Sequence, residues 1–104
     1  MQIEIRQNKL DLFPLCFHAL SDPIRLKLLE LLSHQELCVT DLCDFLNIKQ
    51  PKISFHLKIL KDSGLVFTRQ QGRSIYYRIN HSQFNILKQY LESQIIRQCQ
   101  GVRW

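Results

Sequence analysis

Cys38 and Cys43 stand five residues apart, just ahead of the run Gln50-Pro51-Lys52-Ile53-Ser54-Phe55-His56-Leu57-Lys58. A thiolate is a soft donor that selects thiophilic ions over Mg²⁺ or Ca²⁺. It is also the form of cysteine that oxidants and reactive sulfur attack. A pair at this spacing can therefore hold a soft ion or act as a thiol switch. The other two thiols are Cys16 and Cys99. Cys16 falls on an apolar stripe, where a cysteine ordinarily serves as a small buried hydrophobe. Cys99 lies in the polar run Arg97-Gln98-Cys99-Gln100, where a ligand and a bystander fit equally well. Zinc prefers four ligands, and His34 is the one imidazole close to the pair in sequence.

The run that follows carries a second chemistry. On a helix opening at Pro51, Ile53, Leu57 and Leu60 recur at i, i+4 and i+7 and turn toward a core. The opposite side carries Lys52, Ser54, Phe55 and Lys58, with Gln50 just ahead and His56 at the border between the two faces. Gln and Ser can hydrogen-bond base edges in a major groove, and Lys can reach phosphate or guanine. Phe55 can touch a thymine methyl. By themselves, lysines on a helix are an ordinary solvated face; the order of the surrounding elements gives them meaning.

The elements that must position these residues are legible in the spacing. Residues 9–20 predict a first helix with Leu12, Leu15, Cys16 and Ala19 on one face. Asp22 caps a second helix, with Pro23 at its first position and an almost wholly apolar surface from Ile24 to Leu32. Thr40 is expected to cap a third helix that buries Leu42, Phe45 and Leu46. That start puts Cys43 at the third helical position, where the helix dipole would lower its pKa. After the break Ile48-Lys49-Gln50 the fourth helix runs to Gly64, a C-terminal stop. Leu65–Gln70 and Ser74–Ile79 then read as strands around the tip Gln71-Gly72-Arg73, so Arg69 and Arg73 lie on a hairpin. A last helix is expected from Ser82 to Gln98, with Phe84, Leu87, Tyr90 or Leu91, and Ile95 on one face.

The order ααααββα is mainly α with a small β-hairpin (α+β): a helix-turn-helix followed by a wing that can track phosphate. The first and last helices carry more apolar surface than one small core needs, which predicts that they pair across a homodimer. At 104 residues a single domain over 1–104 is expected. Hydrophobic content of 45% and charged content of 22% argue against disorder. A net charge of +5 permits a polyanionic partner. The apolar runs are too short to span a bilayer, and MQIEIRQNKLDLF lacks the apolar stretch of a signal peptide. A cytoplasmic protein with reduced thiols is the expectation. Cys43 with His34 or His56 would make a nucleophile pair. No oxyanion loop, glycine-rich phosphate cradle or clustered acid–base pair accompanies it, so an enzyme is not expected.

The segments ALSDPIRLKLLELL, ELCVTDLC, QPKISFHLKILKDSGLV and RQQGRSIYYRI together resemble the ArsR/SmtB family of bacterial metal-sensing repressors, over roughly residues 14–80. Within that family the chain is most similar to the arsenical-responsive repressors. The resemblance implies a homodimeric winged helix that holds double-stranded operator DNA as apoprotein. It implies no permanent cofactor, and release when an inducer, As(III) or Sb(III), binds. It places DNA reading at Gln50, Lys52, Ser54, Phe55 and His56, with Arg73 in the wing. Arsenical repressors of the best-known type carry Cys-Val-Cys-Asp-Leu-Cys, whereas this chain has Cys38-Val39-Thr40-Asp41-Leu42-Cys43. A third sulfur would have to come from Cys16 or Cys99, in the same subunit or across the dimer. Water, hydroxide or glutathione could complete the site instead. A second family site, for zinc-type ions, would fall on His81, Gln83, Gln94 and Arg97, of which only His81 is a ligand type, so that site is not expected. The alternative is the same repressor switched by a disulfide or polysulfide. A winged helix that bound only protein would lack the steep salt dependence of a DNA binder.

Overall fold

The computed structural model describes the backbone of residues 9–99 and the side chains of residues 12–95. Its elements are α1 (Lys9–Leu20), α2 (Pro23–Leu32), β1 (Leu37–Cys38), α3 (Val39–Leu46), α4 (Gln50–Asp62), β2 (Val66–Gln71), β3 (Ser74–Ile79) and α5 (His81–Cys99). The expected order of helices and hairpin is therefore present, with one strand added. The ends of the chain expected to belong to the same domain, residues 1–8 and 100–104, lie outside the described residues.

Asp22 starts α2 as its sequence requires. Its backbone is extended (φ −143°), and its carboxylate accepts from the amides of Ile24 at 2.8 Å and Arg25 at 3.1 Å. The third helix departs from expectation. Leu37 and Cys38 pair antiparallel with Tyr77 and Tyr76, which turns the hairpin into a three-stranded sheet of order β1-β3-β2. That pairing holds Cys38 extended, and Cys38 rather than Thr40 becomes the N-cap. The Cys38 amide donates to the Asp41 carboxylate at 3.4 Å, the reach-back of a capping box. Phe45 is also corrected. The buried stripe of α3 runs through Val39, Leu42, Cys43 and Leu46. At 100° per residue this places Phe45 roughly 110° from its centre, and Phe45 is 60% exposed.

Asn47 closes α3 in the left-handed region (φ 55°), a conformation asparagine tolerates better than most residues. The amides of Asn47 and Ile48 both donate to the carbonyl of Cys43, so the residue carrying the second thiol also ties the turn between α3 and α4. Gly64 (φ 82°) ends the α4 segment, with the Leu65 amide returning to the Leu60 carbonyl. Ile53, Leu57 and Leu60 of α4 are fully buried with Leu28, Leu42 and Leu65. Phe13 and Phe17 of α1 set their rings 4.9 and 6.1 Å from Tyr90 of α5. Among the described residues no helix is long and apolar enough to cross a membrane.

Because Leu57 is fully enclosed, Leu57→Ala should lower the unfolding free energy by about 2–5 kcal/mol. The check is a urea titration followed by circular dichroism; a midpoint equal to the parent's would contradict this packing.

Candidate nucleic-acid interface and thiol pair

Cys38 ends β1 and caps α3, and its thiol lies 3.2 Å from the Asp41 carboxylate. Cys43 is the fifth residue of α3, not the third, because the helix begins at Val39. It has therefore left the first turn, where the free amides lie. Burial raises the pKa of its thiol, and the charges of Asp44 and Cys38 add to the rise, so the expected lowering is reversed. Cys43 forms part of the wall of a cleft of about 400 Å³ at the elbow between α3 and α4, lined by Thr40, Asp44, Asn47, Ile48, Lys49 and Gln50.

Cys16 is placed elsewhere. It is fully buried, donates to the Ser63 carbonyl at 3.2 Å and accepts from the Gln83 amide at 3.2 Å. Its sulfur is thus engaged between the end of α4 and α5, as a core cysteine would be. Cys99 belongs to α5, but its side chain lies outside the described residues. Among the described residues, no three His, Cys, Asp or Glu side chains converge as metal ligands.

Gln50, Lys52, Ser54, Phe55 and Lys58 are all exposed on or beside one face of α4. Phe55 is 60% exposed. Lys58 pairs with Asp62 at 2.9 Å, one helical turn on, in a solvated contact that a phosphate can outcompete. His56 does not join them. It is 6% exposed, with Nδ1 2.9 Å from the Arg25 guanidinium and 3.8 Å from the Asp22 carboxylate, so it faces the fold and not a groove. Burial depresses its pKa, Asp22 opposes that, and the positive charges of Arg25 and Lys52 add to the depression. The ring is held neutral.

Arg25 is the residue that sequence reasoning missed. Only 5% exposed, it donates from Nε to the Ala19 carbonyl at 2.8 Å and from Nη2 to the His18 carbonyl at 3.3 Å. The available signal was an arginine in the first turn of α2, three residues after the capping Asp22.

In the wing, Gly72 takes a left-handed turn (φ 61°) and leaves Arg73 exposed at the tip. Arg69, expected to contact phosphate, is instead clamped by Glu36 through two bonds of 3.0 and 2.7 Å. It also donates to Gln71 at 2.6 Å and lies 4.9 Å from the centre of the Tyr76 ring. The Arg69 hydrogen bonds hold the Glu36 carboxyl below its usual range.

Comparisons with known proteins fit this geometry. A family model described as bacterial regulatory protein, arsR family, matches residues 22–68. The chain is 44% identical over 73 residues to the arsenical resistance operon repressor of Staphylococcus xylosus, covering 70% of each. It is 49% identical over 65 residues to the protein of the same name from Escherichia coli K12, covering 62% of this chain and 56% of that one. An ArsR-like transcriptional regulator from Rhodococcus sp. RHA1 superposes with a TM-score of 0.80 at 28% identity, over 86% of this chain and 82% of that one.

Removing the carboxylate that clamps Arg69 should free it for phosphate. Glu36→Ala is expected to steepen the salt dependence of DNA affinity by about one phosphate contact. Fluorescence anisotropy of a labelled duplex at several salt concentrations measures it; an unchanged slope would show that Arg69 stays off the DNA.

Proposed function

Since the chain belongs to the arsR family of bacterial regulatory proteins, we propose that it is a transcriptional repressor which leaves its operator when As(III) or Sb(III) binds Cys38 and Cys43. Its activity is regulation through a DNA-binding helix-turn-helix, not catalysis. The relatives named arsenical resistance operon repressors support the class of inducer. The observation that carries the coupling is the position of the two thiols. One caps α3, and the other, through its carbonyl, ties the turn that delivers α4.

Cys38 stands just outside α3 and Cys43 in its second turn, so placing both sulfurs on one ion draws the cap and the second turn together. A soft ion shared by both sulfurs therefore favours an α3 whose first turn is opened. Cys38, already extended, can swing most easily. Release requires the inducer to prefer that altered arrangement over the DNA-bound one. Each thiol that joins the metalloid gives up its proton, so uptake does not require a thiolate preformed in the resting protein. The raised pKa of Cys43 weighs against the rival reading, a disulfide or polysulfide switch, which needs a reactive thiolate. A third donor comes from Cys99, a partner subunit, hydroxide or a small thiol, because Cys16 is engaged in the core.

We further propose that the protein works as a homodimer in a reducing cytoplasm. Leu15 and Phe17 of α1, with Leu91 and Ile95 of α5, are 38–62% exposed. Apolar surface of this kind on two adjoining helices is what a subunit interface covers. On the reading face, Gln50, Lys52, Ser54, Phe55 and Lys58 meet the major groove, with Arg73 on the backbone alongside.

Cys38→Ser and Cys43→Ser should each bind operator DNA like the parent yet fail to leave it when arsenite is added. A band-shift titration is the check; if both variants still release the DNA, the thiol assignment is wrong.

A further inference from the structure

Arg25 reaches three elements at once. Its guanidinium holds the last carbonyls of α1, at His18 and Ala19, while its own backbone amide rests on the Asp22 cap of α2. Its third arm meets Nδ1 of His56, midway along α4, at 2.9 Å. Among the described residues the other polar contacts between α4 or its cap and these first helices are the same ring's 3.8 Å approach to the Asp22 carboxylate and, at the far end, the Cys16 thiol on the carbonyl of the C-cap Ser63. The N-terminal end of α4 has no side-chain cap.

A guanidinium only donates and keeps its proton in proteins. The ring atom facing it must therefore be a bare acceptor, which assigns His56 to the neutral form protonated at Nε2. A proton added at Nδ1 would set N–H against N–H. The nearest alternative acceptor, the Asp22 oxygen at 3.8 Å, already serves the Ile24 and Arg25 amides. The charged groups facing the ring are Arg25 of α2, Asp22 at its cap and Lys52 of α4 itself, while α1 contributes only carbonyls, through Arg25.

We propose that Arg25 is the positioning residue of the reading helix, seating α4 against the end of α1 and the start of α2 through a neutral His56, so that DNA is released when His56 takes up a proton. This rests on α4 being the helix that reads DNA. The seat matters because the outward side chains of α4 must meet base edges within hydrogen-bonding tolerance, and a small tilt of the helix would lose several contacts together.

The test uses the whole protein and a duplex enriched by it from a random-sequence pool. Dissociation constants are measured at fixed ionic strength from about pH 8 to about pH 4.5, reaching past the ordinary histidine range because burial depresses this ring. The parent should lose about tenfold in affinity toward the acid end, one proton per reading helix. In His56→Asn the side-chain oxygen can accept from Arg25 at every pH, so its profile should be flat. Arg25→Met should weaken binding about tenfold near pH 8, with Arg25→Lys recovering part of the loss because one compact ammonium cannot span all three acceptors. Circular dichroism melts establish that each variant is folded at each pH, and if Arg25→Met does not fold, His56→Asn decides alone. Equal pH profiles for the parent and His56→Asn, or full affinity in a folded Arg25→Met, would overturn the proposal. Lys58→Ala near pH 8 separates that failure from failure of the reading beneath it. A reduced salt slope there keeps α4 on the DNA, whereas an unchanged slope removes α4 from the DNA and this inference with it.

Discussion

The buried guanidinium of Arg25 is the constraint on which the arrangement of α1, α2 and α4 depends. Taking a charge out of water costs several kcal/mol unless its donors are matched. Here they meet two carbonyls at the end of α1 and a ring nitrogen on α4. The carbonyl end of a helix carries partial negative charge, so the cation is also favourably placed against the α1 dipole. Asp22 completes the group by capping α2 and lying within 3.8 Å of the same ring. Apolar burial of Leu28, Ile53, Leu57 and Leu60 supplies most of the adhesion between these helices, but adhesion does not fix an angle. Directional bonds at the first turn of α2 do, and they place the outward face of α4.

The thiol pair lies on α3, next to the other end of that helix. At eight residues, α3 is too short to be stable alone and takes its stability from its neighbours. Its first turn depends on Cys38, which is shared with the sheet, and on Asp41. Its last turn depends on the Cys43 carbonyl, which closes the elbow before α4. A ligand that draws the two sulfurs together therefore works on both ends of α3. The same Cys38 pairs in register with Tyr76, against which Arg69 packs while held by Glu36. The hairpin and α4 thus both adjoin the segment that carries the thiols.

Much of this was legible in the chain because the signals were local. Asp22-Pro23 announced α2, the i, i+4, i+7 run of Ile53, Leu57 and Leu60 announced the buried side of α4, and the glycines at 64 and 72 marked the two reversals. The failures came from contacts distant in sequence. The pairing of Leu37 and Cys38 with β3 moved the cap of α3 from Thr40 to Cys38, which also changed the environment of Cys43. Phe45 was misplaced because the stripe of α3 follows Val39 and Cys43. His56 sat at the edge of two faces, and only Arg25, thirty-one residues away, decides which it joins. Arg69 read as a free cation because Glu36 lies thirty-three residues before it.

The central claim is that sulfur coordination and DNA release are one event. Its most direct measurement follows both signals in one sample: the near-ultraviolet charge-transfer absorbance of sulfur–arsenic bonds and the anisotropy of a labelled operator duplex, as arsenite is added to the protein–DNA complex. The absorbance should rise and the anisotropy fall together, with a common midpoint. Absorbance that reaches its plateau while the duplex stays bound would contradict the account.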